Sequence, residues 1–191
     1  MSEKSNEWYT PAKYIEAART VMGSIDLDPA SCELANRTVK AARYYSKEEN
    51  GLAQAWYGNV WLNPPFGTTM QQFGNSAWQG QSIASLFMGK LIEEYHKGTV
   101  TQAVLLAKAD PKQNWFSRLW EFPICFAYDR VYFNRPIGEP CRHQFGTCFV
   151  YLGPHESRFI DIFSQFGRIA KAIDTPRQPV ASPRELWEVA V

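Results

Sequence analysis

The chain has 191 residues, enough for one domain with a full hydrophobic core, and its 45% hydrophobic and 20% charged residues are ordinary for a globular protein. A net charge of +1 argues against a protein that lives on nucleic-acid charge alone, while leaving room for a local basic cleft. No apolar run approaches the roughly 20 residues a membrane helix needs, and residues 1–7 lack the apolar stretch of a signal peptide, so a cytoplasmic protein is expected.

Taken in chain order, residues 11 to 22 read as a helix, with Thr10 as N-cap, Pro11 at the first helical position and Gly23 at the stop. Residues 24 to 27 read as a short strand halted by Asp28-Pro29, and 31 to 42 as a short helix. Residues 43 to 56 form a loop with a turn at Asn50-Gly51. Residues 59 to 62 are an apolar strand that must end at Asn63-Pro64-Pro65-Phe66, because proline cannot donate to a ladder. A polar loop over 67 to 82 precedes a helix over 83 to 97 and a buried strand over 103 to 107, which ends near Asp110-Pro111. A helix over 112 to 121 follows, then strands near 124 to 133 and 147 to 152. The spacing of Phe159, Ile162, Phe163, Phe166, Ile169 and Ala170 predicts an amphipathic helix over 157 to 173. Strands alternating with helices predict a single α/β domain over 1–174 with a largely parallel sheet, followed by a Pro-rich tail over 175–191. Three polar-Pro breaks at strand ends, Asp28-Pro29, Asn63-Pro64 and Asp110-Pro111, suit the mouth of a cleft.

Asn63-Pro64-Pro65-Phe66 carries the chemistry. The exocyclic amino group of adenine is a poor nucleophile because its lone pair is delocalised into the ring. Two acceptors aimed at its hydrogens can draw the nitrogen toward tetrahedral geometry. The Asn63 side-chain oxygen and the Pro64 carbonyl are such acceptors. Pro65 stiffens the turn, and Phe66 offers a face on which an extruded base can stack. The plainer reading is a turn after a strand. The preceding apolar strand, the following aromatic and the motifs upstream favour the catalytic one.

The series resembles the phage-type Dam-like DNA N6-adenine methyltransferases. It runs Trp8-Tyr9-Thr10-Pro11, then Ile25-Asp26-Leu27-Asp28-Pro29-Ala30-Ser31, Tyr44-Tyr45-Ser46, Asn50-Gly51-Leu52 and Trp56. It continues through Val60-Trp61-Leu62-Asn63-Pro64-Pro65-Phe66, Leu105-Leu106, Trp115-Phe116 and Arg130 with Phe133, spanning residues 7 to 152. The resemblance implies a Rossmann-like methyltransferase fold, a phage or prophage enzyme acting in a bacterial host, S-adenosylmethionine as cofactor and double-stranded DNA as substrate. It implies that Tyr9, Thr10 and Pro11 contact the methionine end of the cofactor, and that Asp28, Pro29 and Ala30 form the loop after the first strand. A carboxylate there can pair with the cofactor ammonium, and Asp26 can support the same site. The Gly-rich turn usual after the first strand is missing, and the cofactor half is compressed. Glu48 and Glu49 are candidates for the ribose-holding acid, with a solvated loop as their simpler home.

DNA contacts fall to loops. Gln71, Gln72 and Gln79 can reach base edges, while Arg130, Arg135 and Arg142 supply cations beside His143. No metal is implied. Cys141, His143 and Cys148 lack metal-ligand spacing, and the four cysteines are read as reduced thiols. Two rivals remain at this point: a methyltransferase acting on another planar amino group (RNA adenine, cytosine N4 or protein glutamine), and a catalytically silent DNA-binding module. Substitutions at Gln71, Gln72 or Gln79 should relax the recognised sequence. Changes at Arg135 or Arg142 should instead weaken binding evenly and reduce its salt dependence, as titrations of variant duplexes across salt would report.

Overall fold

The computed structural model describes residues 8–65, 82–135, 141–142 and 145–172. The expectations for Phe66, Gln71, Gln72, Gln79 and His143, for the Arg142 side chain and for the tail over 175–191 lie outside the described residues.

Helix α1, Ala12–Met22, buries Tyr14, Ile15, Ala18 and Val21 on one stripe and stops where Gly23 takes φ 87°. Its N-cap is Pro11 rather than Thr10, and no side chain caps it. The Thr10 hydroxyl instead accepts from Asn63 Nδ2 at 3.3 Å, so a tertiary contact displaces the local cap. Strand β1, Leu27–Asp28, is followed by α2, Glu33–Val39, and β2, Arg43–Tyr44. A single 3₁₀ turn, Gly51–Ala53, leads into β3, Gly58–Leu62. Helix α3, Ile83–His96, is capped by the Ser82 hydroxyl, which accepts from Ser85 N at 3.1 Å. Then come β4, Val100–Lys108, a 3₁₀ segment Asn114–Glu121, and β5, Ile124–Ala127. The stretch expected as one strand over 124 to 133 is therefore two elements. Its second half, β6, Tyr132–Phe133, leaves the main sheet and pairs antiparallel with β7, Cys141–Arg142.

The main sheet has seven strands in the order β2-β1-β3-β4-β8-β5-β9, where β8 is Thr147–Leu152 and β9 is Gly167–Ala170. Pairs β2–β1, β1–β3 and β3–β4 are parallel, whereas β4–β8, β8–β5 and β5–β9 are antiparallel. The sheet is mixed rather than largely parallel. β8 enters between β4 and β5 with all six residues buried, and a run buried on both faces carries no sequence signal of strand direction. The helix expected over 157 to 173 is also shorter. Helix α4, Glu156–Phe163, ends at a turn closed by Phe166 N donating to Phe163 O at 2.9 Å. Ile169 and Ala170 then pair with Cys125 and Ile124. The edge hydrogen bonds of β5 outweigh continuation of the 3.6-residue stripe.

Side chains alternate along the central strands, so two cores form on the two sheet faces. Val60, Leu62 and Leu105 pack with Phe87 and Leu91 of α3, while Trp61, Val104 and Leu106 pack with Ile15 of α1 and Phe159 of α4. Every burial of this kind contributes roughly 1.5–3 kcal/mol per large side chain.

The close approach of β9 to β5 depends on Gly167, where a Cβ would collide with the Phe126 carbonyl. Gly167→Ala should destabilise the protein by about 1–3 kcal/mol through overpacking. Gly89→Ala, in the interior of α3 with only Arg118 Nη1 at 3.6 Å, should stabilise it by about 0.5–1 kcal/mol. Urea unfolding of both variants measures the difference, and equal shifts would contradict this account of the edge strand.

Candidate active site

A cavity of about 240 Å³ opens at the carboxyl ends of β1, β2 and β3. The chain leaves β1 to β2 on one side, then crosses to β3 and β4 on the other, so the order reverses between β1 and β3. Such a reversal leaves a crevice, because the connections after the two strands turn in opposite directions. The crevice walls are the loop from Asp28 to Cys32, the loop from Tyr45 to Gly51, and Asn63 to Pro65, with Trp8 to Thr10 across the front. Ile83 and Phe87 of α3 add an apolar wall.

Asn63 follows the last residue of β3. Its Nδ2 donates to the Trp8 carbonyl at 3.1 Å and to Thr10 Oγ1 at 3.3 Å. A carbonyl can only accept, so the amide NH₂ faces Trp8 and the opposite Oδ1 is left buried without a partner. An unpaired buried acceptor costs roughly 1–3 kcal/mol, which marks a position complementary to a donor. Three of the four such atoms among the described residues, Ser31 Oγ, Asn50 Oδ1 and Asn63 Oδ1, belong to residues lining this cavity.

Asp28 ends β1 and is only 3% exposed. Burial pushes its carboxyl up to about 7. The Ser31 hydroxyl and the Ala30 N–H, which donates to Oδ1 at 3.2 Å, work against that rise. The Ser31 oxygen is buried and has no hydrogen-bond partner within the protein. Two chemistries therefore meet in one crevice: a carboxylate that gains from a cation, and an amide oxygen that gains from an N–H or O–H donor.

The DNA N-6-adenine-methyltransferase (Dam) family matches residues 1–135. The chain belongs to this family. It is accordingly an enzyme that methylates the N6 position of adenine in DNA, which implies a methyl donor and a DNA substrate. No curated protein matches the chain. Among the described residues no helix is long and apolar enough to cross a membrane, and no three His, Cys, Asp or Glu residues come together as a metal-holding group. Burial pushes the Cys148 and Cys125 thiols up to about 12.

Of the site residues expected in this Dam-family chain, Tyr9, Thr10, Asp28, Pro29, Ala30, Asn63, Pro64 and Pro65 line this cavity. Pro11, the N-cap of α1, is not among the residues that line it. Asp26 sits at the other end of the strands, accepting from Asn59 N at 2.8 Å and from Ser24 Oγ at 2.9 Å, and braces β1 against β3. Arg130 is exposed between β5 and β6. Glu49 is engaged by Arg43 and by Ser46 N, and Glu48 is exposed, so neither acid lines the cavity.

Sequence reasoning did not assign the wall after β2. Asn50 adopts φ 52°, and a Cβ at Gly51 would strike the Pro29 carbonyl, so Asn50-Gly51 presses directly onto the loop after β1. Lys90 of α3 holds this wall by donating to Leu52 O at 2.7 Å and Gln54 O at 2.6 Å. Trp56 Nε1 donates to Gly51 O at 2.7 Å. The turn signal at Asn50-Gly51 was visible in the sequence, but not the surface it faces. Ile83 and Phe87, one helical turn apart, could have been read as a shared face.

The buried Asp28 predicts a pH signature in the ligand-free enzyme. Its folded pKa of about 7 lies above the usual 3.8, so the folded state holds a proton that the unfolded state releases. Its contribution is fully favourable below pH 3.8 and is lost as pH rises through about 7. Asp28→Asn removes that loss. The variant should match the parent near pH 4 and exceed it at pH 8, by up to about 4 kcal/mol. Urea unfolding at the two pH values checks this, and a pH-independent difference would contradict it.

Proposed function

We propose that this DNA adenine methyltransferase binds S-adenosylmethionine in the crevice between β1, β2 and β3 and holds a flipped-out adenine against Asn63. The carrying observation is the Asn63 amide, whose donor face is taken by the Trp8 carbonyl and whose buried acceptor face has no partner. The sheet supports the finer reading of a Rossmann-like fold. Four parallel strands reverse their order at β1/β3, and two-residue strands β1 and β2 agree with a compressed cofactor half.

The cavity residues fit that cofactor. It carries an ammonium, ribose hydroxyls and a flat apolar-edged ring, and the cavity offers the Asp28 carboxylate, the unpaired Ser31 and Asn50 oxygens and the Ile83 and Phe87 side chains. When bound, S-adenosylmethionine supplies an electrophilic methyl group on its sulfonium. Asp28 holds the ammonium and is kept ionised by it, so cofactor affinity should climb as pH rises toward and past 7. Tyr9 and Thr10 close the front of the crevice. Asn63 Oδ1 and the Pro64 carbonyl accept the two hydrogens of the adenine amino group, which localises the lone pair on nitrogen. Pro65 stiffens the turn, and Phe66 stacks the extruded ring. The methylated nitrogen is cationic and strongly acidic, and it gives up its proton to solvent after transfer, so no obligatory protein base is needed. Most of the acceleration comes from fixed geometry and exclusion of water.

Asn63→Ala removes one preorganised acceptor at the reacting nitrogen. Single-turnover methylation of adenine-containing duplexes should fall by roughly a hundredfold or more, with cofactor affinity by calorimetry unchanged. Asp28→Ala should show the reverse split, losing about 1.5–3 kcal/mol of cofactor binding. Near-normal methylation by Asn63→Ala would return the Asn63 loop to a plain turn.

A further inference from the structure

The Asn63 amide can sit in two orientations related by half a turn about its side-chain axis, and only one turns Oδ1 toward a target amino group. Thr10 Oγ1 does not choose between them, because a hydroxyl both donates and accepts. The Trp8 carbonyl does choose, because it only accepts. The catalytic orientation therefore depends on whatever holds that carbonyl still.

Three successive residues, the last of β6 and the two that follow it, hold it. Tyr9 exchanges both backbone hydrogen bonds with Asn134, at 3.0 and 2.9 Å. The Trp8 ring packs edge-on against buried Phe133, with centroids 5.9 Å apart and planes at 82°. The Arg135 guanidinium lies 5.1 Å from the Trp8 ring centroid on a half-buried side chain. We propose that Trp8 and Arg135 are positioning residues for methyl transfer, clamping the carbonyl that turns the Asn63 oxygen toward the adenine amino group. This rests on Asn63 being the acceptor, as in the preceding section. It also gives Arg135 a role different from the even phosphate contact expected of it from sequence.

The test is single-turnover methylation at saturating duplex and S-adenosylmethionine, beside duplex titrations across salt and calorimetry with the cofactor. Trp8→Ala should slow single turnover by roughly tenfold or more, since small misplacements of reacting groups are costly. Trp8 also lines the crevice, so calorimetry reads any change in cofactor affinity separately and the rate is compared at saturation, while affinity for the duplex should stay at the parental level. Trp8→Phe keeps a ring for the clamp and should recover most of the rate. Arg135→Lys keeps the charge and loses the planar face, so its rate should fall while the salt dependence of DNA binding is unchanged. Parental single turnover in both Trp8→Ala and Arg135→Lys, with Asn63→Ala inactive, would overturn the clamp alone. If Trp8→Ala fails to fold, Arg135→Lys decides by itself. An Arg135→Ala variant with parental single turnover and a shallower salt slope would overturn the clamp and restore the phosphate contact. Activity retained by Asn63→Ala would instead remove the reading on which the clamp rests.

Discussion

The parallel pairing of β1 with β3, in which Leu27 lies opposite Val60, is the constraint on which the site depends. It sets the carboxyl end of one strand beside that of the other, so Asp28, the last residue of β1, and Asn63, the first residue after β3, share a crevice although they are far apart in sequence. The brace behind the pairing is Asp26, which receives the Asn59 amide at 2.8 Å. Without it a one-residue slip of β3 would exchange the Val60 and Trp61 faces and carry Asn63 out of the crevice. Such short strands have little ladder of their own. Their register is fixed from outside by side-chain hydrogen bonds and by the two apolar cores that they separate.

The crevice holds polar groups that folding alone leaves poorly satisfied. A buried Asp28 carboxylate and the unpaired oxygens of Ser31, Asn50 and Asn63 each oppose stability. They are tolerated because the surrounding frame determines their positions independently. Gly51 is seated on the Pro29 carbonyl, Lys90 ties the wall to α3, and the Trp8–Tyr9 strap is pinned by Asn134. Preorganisation of this kind suits a reaction in which positioning does most of the work.

Where local signals gave way, a tertiary partner offered more. Thr10 has the right chemistry for an N-cap, yet its hydroxyl serves Asn63 and α1 starts uncapped at Pro11. Phe166, Ile169 and Ala170 continue the apolar stripe of α4, yet β5 has an open edge and takes residues 167–170 as a strand. Periodicity cannot weigh an edge that only the assembled sheet presents. The same holds for strand direction, since a fully buried run such as Thr147–Leu152 has no alternation that would signal its sense.

The sequence by itself determined the α/β class and most of the strands and helices, and it marked most of the residues that the structure places around the crevice. Prolines after Asp28 and Asn63 end strands by removing donors, and the residue types at those ends restrict the chemistry to a carboxylate and an amide acceptor. Only the tertiary structure decided which way the Asn63 amide turns, that Asp26 braces rather than lines the site, and that Asn50-Gly51 forms a wall after β2. The physical reason is that a hydrogen bond between distant residues depends on where the strands place both ends. The Trp8 carbonyl, a backbone atom with no side-chain signature, is invisible to any reading of residue types.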